Sequence, residues 1–252
     1  MPWDQDTVKR HEAWFDSPVG RFALARELHL VDTVIADWPR RNQRLVEIGC
    51  GLGIFLEEFW RGGLDITGLD NSPAMIAACR ERLGHRAELF LGNADHLPFE
   101  DKEFDYAALV TLLEFCPDPG AVLREATRTA KKGLVLAFLN RWSLYAREQR
   151  KVGQKNGQKN GLDTTLSQAR WFSWPEISRL ICAHVGHKPT LARSILAGPP
   201  STWKDRPGLR QMNSLICPPF LGAFTVVRVD FIGEKPLTPL PAWTTEAGMG
   251  GA

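Results

Sequence analysis

Glu47, the glycines at 49, 51 and 53, and Asp70 are the residues whose types and spacing point to chemistry. Three alternating glycines directly after Leu45-Val46-Glu47-Ile48 suit a tight turn from a buried strand into a helix, where a ligand approaches the backbone too closely for any Cβ. A dinucleotide fingerprint needs Gly or Ala three residues after its second glycine, so that a pyrophosphate can sit on the helix N-terminus, and Ile54 stands there instead. Glu47 argues the same way, since a carboxylate beside the turn repels a diphosphate and attracts a cation. NAD and FAD are therefore disfavoured. Asp70 closes a second apolar segment, 64–70, about 20 residues past the turn, the separation at which a carboxylate reaches ribose hydroxyls. Cys50, inside the glycine turn, reads as a small residue rather than a nucleophile.

Regular alternation of elements positions these residues. The spacing predicts helices near 4–16, 18–38, 53–62, 73–84, 118–131 and 174–185. Strands are expected near 44–49, 64–70, 87–92, 104–111, 133–139, 190–197 and 223–231. Such an order makes a doubly wound, right-handed, mostly parallel α/β sheet. The run Gly133-Leu134-Val135-Leu136-Ala137-Phe138-Leu139 is apolar throughout, as a strand covered on both faces requires. Ser72-Pro73 reads as an N-cap and first helical residue, which puts Met75 on the first turn, either over an adenine ring or as core filler.

In sequence order the chain carries Val46-Glu47-Ile48-Gly49-Cys50-Gly51-Leu52-Gly53, Gly68-Leu69-Asp70-Asn71-Ser72 and Gly92-Asn93-Ala94-Asp95-His96-Leu97-Pro98-Phe99. Phe104-Asp105-Tyr106 follows, leading to Leu113-Glu114-Phe115. With these motifs the chain resembles the class I S-adenosylmethionine-dependent methyltransferases, in particular the type 11 subgroup related to quinone-biosynthesis and malonyl-carrier-protein methyltransferases. The resemblance spans about residues 10 to 140. It implies a Rossmann-like sheet of seven strands in the order 3-2-1-4-5-7-6, with one antiparallel strand. It implies S-adenosylmethionine as cofactor and S-adenosylhomocysteine as product, held by Glu47, Gly49, Cys50, Gly51, Gly53, Asp70, Asn71 and Met75. Asn93 stands where the family usually has an aspartate that accepts from the adenine amino group, and its side-chain carbonyl can still accept that bond, while the Ala94 amide meets a ring nitrogen. Carbonyls near Thr111 and Leu112 take the cofactor's ammonium group. Glu114, the ionisable group at that strand end, is the candidate for orienting or deprotonating a substrate, the alternative being a helix-start carboxylate interacting with the dipole.

Methyl transfer from a sulfonium asks mainly for alignment and exclusion of water, so an obvious base is not required. Composition fits this reading. At 252 residues, 44% of them hydrophobic, the chain can bury one sizeable α/β core. A formal charge of +2 gives no reason to expect a nucleic-acid partner. The five cysteines have neither zinc-site nor disulfide spacing, so no metal is expected and a reducing, cytoplasmic setting is. No apolar run approaches the roughly 20 residues of a membrane span, and Asp4, Asp6 and Lys9 do not suit a signal peptide.

One methyltransferase domain is expected over 1–233, with an N-terminal helical lid (1–38), a core (44–140), a flexible insertion (150–165) containing a duplicated Gly-Gln-Lys-Asn-Gly, helix and strands over 173–233, and a flexible tail (234–252). Two regions should set specificity. Trp14 and Phe15 read as a lid over the cofactor or as an anchor for their helix. Arg141 and Trp142, just past a strand's carboxyl end, read as walls of a substrate pocket, while the Pro- and Trp-rich 198–220 connection can cover part of it. The expected activity is methyl transfer to a small-molecule acceptor. A module that binds the cofactor without turnover and a methyltransferase of proteins or carrier-bound acyl groups are the alternatives.

Overall fold

The computed structural model of the chain describes residues 4–156 and 169–231, with 151–156 as backbone only. Helix α1 (Gln5–Asp16) and helix α2 (Pro18–Val34) come first. Ser17 separates them: its Oγ accepts from the Gly20 amide at 3.0 Å and Pro18 occupies the first helical position. The two helices meet so closely that a Cβ on Gly20 would collide with the Trp14 carbonyl oxygen.

Strands β1 (Arg44–Ile48), β2 (Asp65–Asp70), β3 (Ala87–Leu91), β4 (Phe104–Val110), β5 (Ala130–Leu139), β6 (Leu191–Ile195) and β7 (Phe224–Asp230) form one seven-stranded sheet in the order β3-β2-β1-β4-β5-β7-β6. β1 to β5 are parallel, and β7 runs antiparallel to both β5 and β6. The expected class and strand order are therefore those observed. Helices α3 (Ile54–Arg61), α4 (Pro73–Leu83) and α5 (Pro119–Thr129) link the parallel strands. Ser72 caps α4, its Oγ accepting from Met75 N at 3.2 Å.

The apolar run of β5 divides by the two-residue period of a strand. Val135 and Ala137 join the core that contains α2 and α3, whereas Leu134, Leu136 and Phe138 join the core that contains α5 and the helix Trp174–His184. Three boundaries differ from expectation. Helix α2 ends at Val34 rather than 38, since Trp38 folds back with its Nε1 donating to Asp230 Oδ1 at 2.8 Å. Strand β5 begins at Ala130, three residues early, because its start still pairs with Phe104. The 198–220 connection contains a helix, Pro207–Ser214, because Pro207 serves as a first helical residue rather than a breaker. Asn213 ties that connection together, accepting from Gly198 N at 2.9 Å and donating to Thr202 O at 3.1 Å.

Helix α6 (Leu144–Asn156) takes up the first part of the expected insertion, and the remainder, like the tail from 234, lies outside the described residues. Among the described residues no helix is long and apolar enough to cross a membrane, and no cluster of side chains suits a metal ion.

Candidate functional site

The carboxyl ends of β1, β2 and β4 open into a cavity of about 510 Å³, covered by α1 and flanked by α2, α6 and the 198–224 segment. In an open α/β sheet this is where the strand order reverses and ligands bind.

The glycine turn does what its composition requires. Gly49, Gly51 and Gly53 have φ of 74°, 49° and 72°, a region that side-chain-bearing residues seldom enter. The Cβ position of Gly51 meets nothing nearer than Met75 Sδ at 4.0 Å, so the backbone there lies open to the cavity. Gly53 does not line the cavity. It precedes α3, and a Cβ there would stand 2.5 Å from Cys79 Sγ, so the close approach of α3 to α4 itself requires a glycine. Cys50 lines the cavity with a thiol that hydrogen-bonds Cys79, and this bond together with burial pushes its pKa well up, which suits a small spacer and not a nucleophile.

Two carboxyls flank the turn. Asp70 Oδ2 accepts from Gly51 N at 3.0 Å and Oδ1 from Ser72 N at 2.9 Å, so the turn and the start of α4 are fixed by one side chain whose remaining lone pairs face the cavity. Burial raises its pKa while these amides pull it down. Glu47 is buried at 2% exposure. The Leu56 amide in the first turn of α3 hydrogen-bonds its carboxyl, yet Oε2 has no partner. Burial drives its pKa well above the ordinary range. A buried, unpartnered carboxylate oxygen beside an open glycine backbone fits a cationic adenosyl ligand, whose positive charge would restore ionisation.

Asn71, Asn93, Ala94, Thr111 and Leu112 also line the cavity. Thr111 sits at φ 47°, an outlier for a β-branched residue, with its amide donating to Ala137 O at 2.8 Å. That local strain lies at the cavity wall, where such strain commonly serves function. Met75 lines the cavity and is buried with Val8 and Leu52, joining α4 to α1.

On the other side the cavity is aromatic. Trp14 and Phe15 line it from α1, and Trp14 also packs against the core. Arg141 and Trp142 do not. Arg141 pairs with Glu176 at 2.8 Å, its amide donating to Phe172 O, and Trp142 is 53% exposed after a turn in which its amide donates to Asn140 Oδ1. That turn presents Tyr145 instead, one helical turn on, together with Trp203 from the 198–220 connection. Glu114 is likewise absent from the lining. Its Oε1 accepts from Leu139 N at 2.7 Å, Oε2 has no partner, and burial raises its pKa to about 7.

The sequence reading missed Glu27, Phe55, Tyr145 and Phe224 in the lining, while Trp203 comes from the 198–220 connection that it placed near the substrate. Glu27 had a visible signal. Ala23, Leu30, Val31 and Val34 mark the buried stripe of α2, and Glu27 interrupts that stripe as a carboxylate.

A family profile described as "Methyltransferase domain" matches residues 46–138. A solved structure from Thermotoga maritima, described as a SAM-dependent methyltransferase and possible histamine N-methyltransferase, is 30% identical and covers 90% of this chain and 99% of its own, with a TM-score of 0.70. An uncharacterized protein of Mycobacterium bovis is 32% identical over 196 residues, 75% of this chain and 61% of its own. The ubiquinone biosynthesis O-methyltransferase of Aromatoleum aromaticum is 27% identical over 117 residues, 43% of this chain and 50% of its own. The chain thus spans 46% to 61% of the length of the curated relatives it matches.

Proposed function

Because the chain belongs to the S-adenosylmethionine-dependent methyltransferases, we propose that it transfers a methyl group from that cofactor to a small-molecule acceptor held in the aromatic part of the cavity. When bound, the cofactor supplies a methyl group already activated on a sulfonium. The chain's residues then have to bind, orient and exclude water. Asp70 would hold the ribose hydroxyls and Glu47 the cationic end, with the open backbone at Gly51 giving close approach. Asn93 and Ala94 would meet the adenine, and the carbonyls of Thr111 and Leu112 the ammonium group. Trp14 and Phe15 on α1 would cover the site from water.

The observation that carries this reading is the unpartnered Glu47 Oε2 in a cavity whose backbone and carboxyl chemistry suit a positive ligand rather than a pyrophosphate. Of the relatives described above, one name specifies an oxygen acceptor and one a possible nitrogen acceptor. Calorimetry with S-adenosylhomocysteine tests the pocket, and a metabolite extract given methyl-labelled cofactor tests turnover. Binding with label in small solutes is expected. No heat with S-adenosylhomocysteine beside uptake of NADH would overturn the cofactor, and label confined to macromolecules would overturn the acceptor class.

A further inference from the structure

Of the cavity carboxyls that the cofactor reading leaves without a task, Glu27 is the buried one. It projects from the buried stripe of α2, is 9% exposed, and has no hydrogen-bond or ion-pair partner among the described residues. Aromatic rings share its compartment. Tyr145 and Trp203 lie 5.1 Å apart, tilted by 49°, and Phe55 and Phe224 stack at 6.2 Å with 14° between their planes. Trp203 is fixed by its Nε1, which donates to Gly198 O at 2.9 Å. Rings held this way offer flat contact area and negative π-faces to a cation.

The charge of the compartment points the same way. Among the described residues that line the cavity, Glu27, Glu47, Asp70, Asp95 and Asp118 carry carboxyls, against the single guanidinium of Arg10. His11 adds no positive charge at neutral pH, since burial lowers its pKa to about 4. An anionic acceptor would find one guanidinium among five carboxyls, and a cation is the ligand that gives the buried Glu27 carboxyl a charge partner.

Resting on the methyltransferase reading, we infer that Glu27 is the acceptor-binding base of this site and that the acceptor is a flat, aromatic-bodied molecule whose nucleophile is a basic nitrogen, an amine or a ring nitrogen. The nitrogen arrives protonated. One proton passes from it to the Glu27 carboxylate, freeing the lone pair. That pair forms the bond to the methyl carbon as the carbon–sulfur bond breaks with its electrons on sulfur, and the positive charge passes from sulfur to nitrogen. The product departs as the methylated ammonium and Glu27 keeps its proton, the one proton of the turnover having passed to solvent when the amine bound.

In the free protein Glu27 holds a proton at neutral pH, since burial raises its pKa to about 8. Burial is the sole cause. Helix α2 packs on α1, β6 and β7, and the ionisable groups of its surroundings, Arg10 and His11 on α1, Arg193 on β6, Arg228 on β7 and Tyr145 on α6, do not shift it. Capture of a protonated amine must then displace that proton, so binding near pH 7 releases close to one proton.

The test titrates the full chain, loaded with S-adenosylhomocysteine, with phenethylamine, tryptamine and 4-phenylimidazole and with the shape-matched 3-phenylpropanoate and 3-phenylpropanol. Calorimetry in two buffers of different ionisation heat at pH 7 counts protons. Bases are expected to bind, acid and alcohol at least tenfold more weakly, with close to one proton released per bound amine. Glu27→Gln should weaken the bases at least tenfold and abolish the release while S-adenosylhomocysteine still binds; should that variant fail to fold, the selectivity and proton count of the unaltered chain decide by themselves. Tight binding of the acid or the alcohol, no binding of any base, or proton release that survives in Glu27→Gln would overturn the inference alone. Failure of S-adenosylhomocysteine to bind would overturn the methyltransferase reading and this one with it.

Discussion

The two ends of the one cavity are built on different principles. At the cofactor end, backbone does the lining: a glycine turn at 49–51, a strand end at 70–71, the 92–94 loop and a strained residue at 111. At the acceptor end, side chains do it, and they come from α1, α2, α3, α6, β7 and the 198–220 connection. A backbone-lined site depends on φ values and turn geometry, which short contiguous motifs specify. A site lined by side chains depends on which face of each distant element is turned inward, and aromatic residues at such faces read the same as ordinary core. The difference implies that the ends can be damaged separately.

The largest effect should follow Asp70→Ala. That carboxyl holds the Gly51 and Ser72 amides at 3.0 and 2.9 Å, and the proposed ribose bonds depend on it as well. Bonds to a charged acceptor contribute about 1.5–3 kcal/mol each, so affinity for S-adenosylhomocysteine should fall about 100-fold, close to 3 kcal/mol. Calorimetry that finds less than a fivefold loss would show that the cofactor end does not hinge on this strand end.

Legibility in the sequence follows the same divide. The alternation of elements, the cap at Ser72 and the placing of Glu47 and Asp70 beside the turn were readable because each depends on a local rule, whereas the sheet order and Asn93 came only with the family resemblance. Arg141 and Trp142 were credible wall residues by position alone. The turn at Asn140, whose buried amide donates to Gly222 O at 3.0 Å, rotates them away and brings Tyr145 in, a consequence of a contact 82 positions distant that no local pattern carries. Gly53 shows the converse, a motif glycine kept for packing against Cys79.

Glu114 sharpens the divide, since it stands beside the site by sequence and outside its lining in space. Its folded-state pKa of about 7 lies above the ordinary 4.5, so the folded chain holds this proton more tightly than the unfolded chain does. Below pH 4.5 both forms are protonated and nothing is lost. As pH rises from 4.5 to 7 the unfolded chain ionises first, and stability falls across that window. Glu114→Gln keeps an acceptor for the Leu139 amide and removes the ionisation. Urea denaturation should find the variant equal to the parent near pH 4.5 and about 2 kcal/mol more stable at pH 8. Methyl transfer should persist in the variant. Loss of turnover with unchanged cofactor affinity would instead restore Glu114 as the base.

The smallest effect falls on the acceptor end and decides whether the ends are separable. Tyr145 is buried, its ring 5.1 Å from Trp203 and 5.3 Å from Trp171. Tyr145→Leu retains apolar volume and removes the aromatic face, a loss of about 1 to 1.5 kcal/mol for a ring pair or a ring–cation contact. Acceptor affinity should therefore fall about tenfold, whereas S-adenosylhomocysteine affinity should stay within about threefold, because no backbone group of the glycine turn depends on this ring. Titrating the variant with both ligands gives the comparison directly. Equal losses would mean that α6 and the glycine turn move together on binding, and that the cavity is one cooperative site rather than two ends joined at the sulfonium.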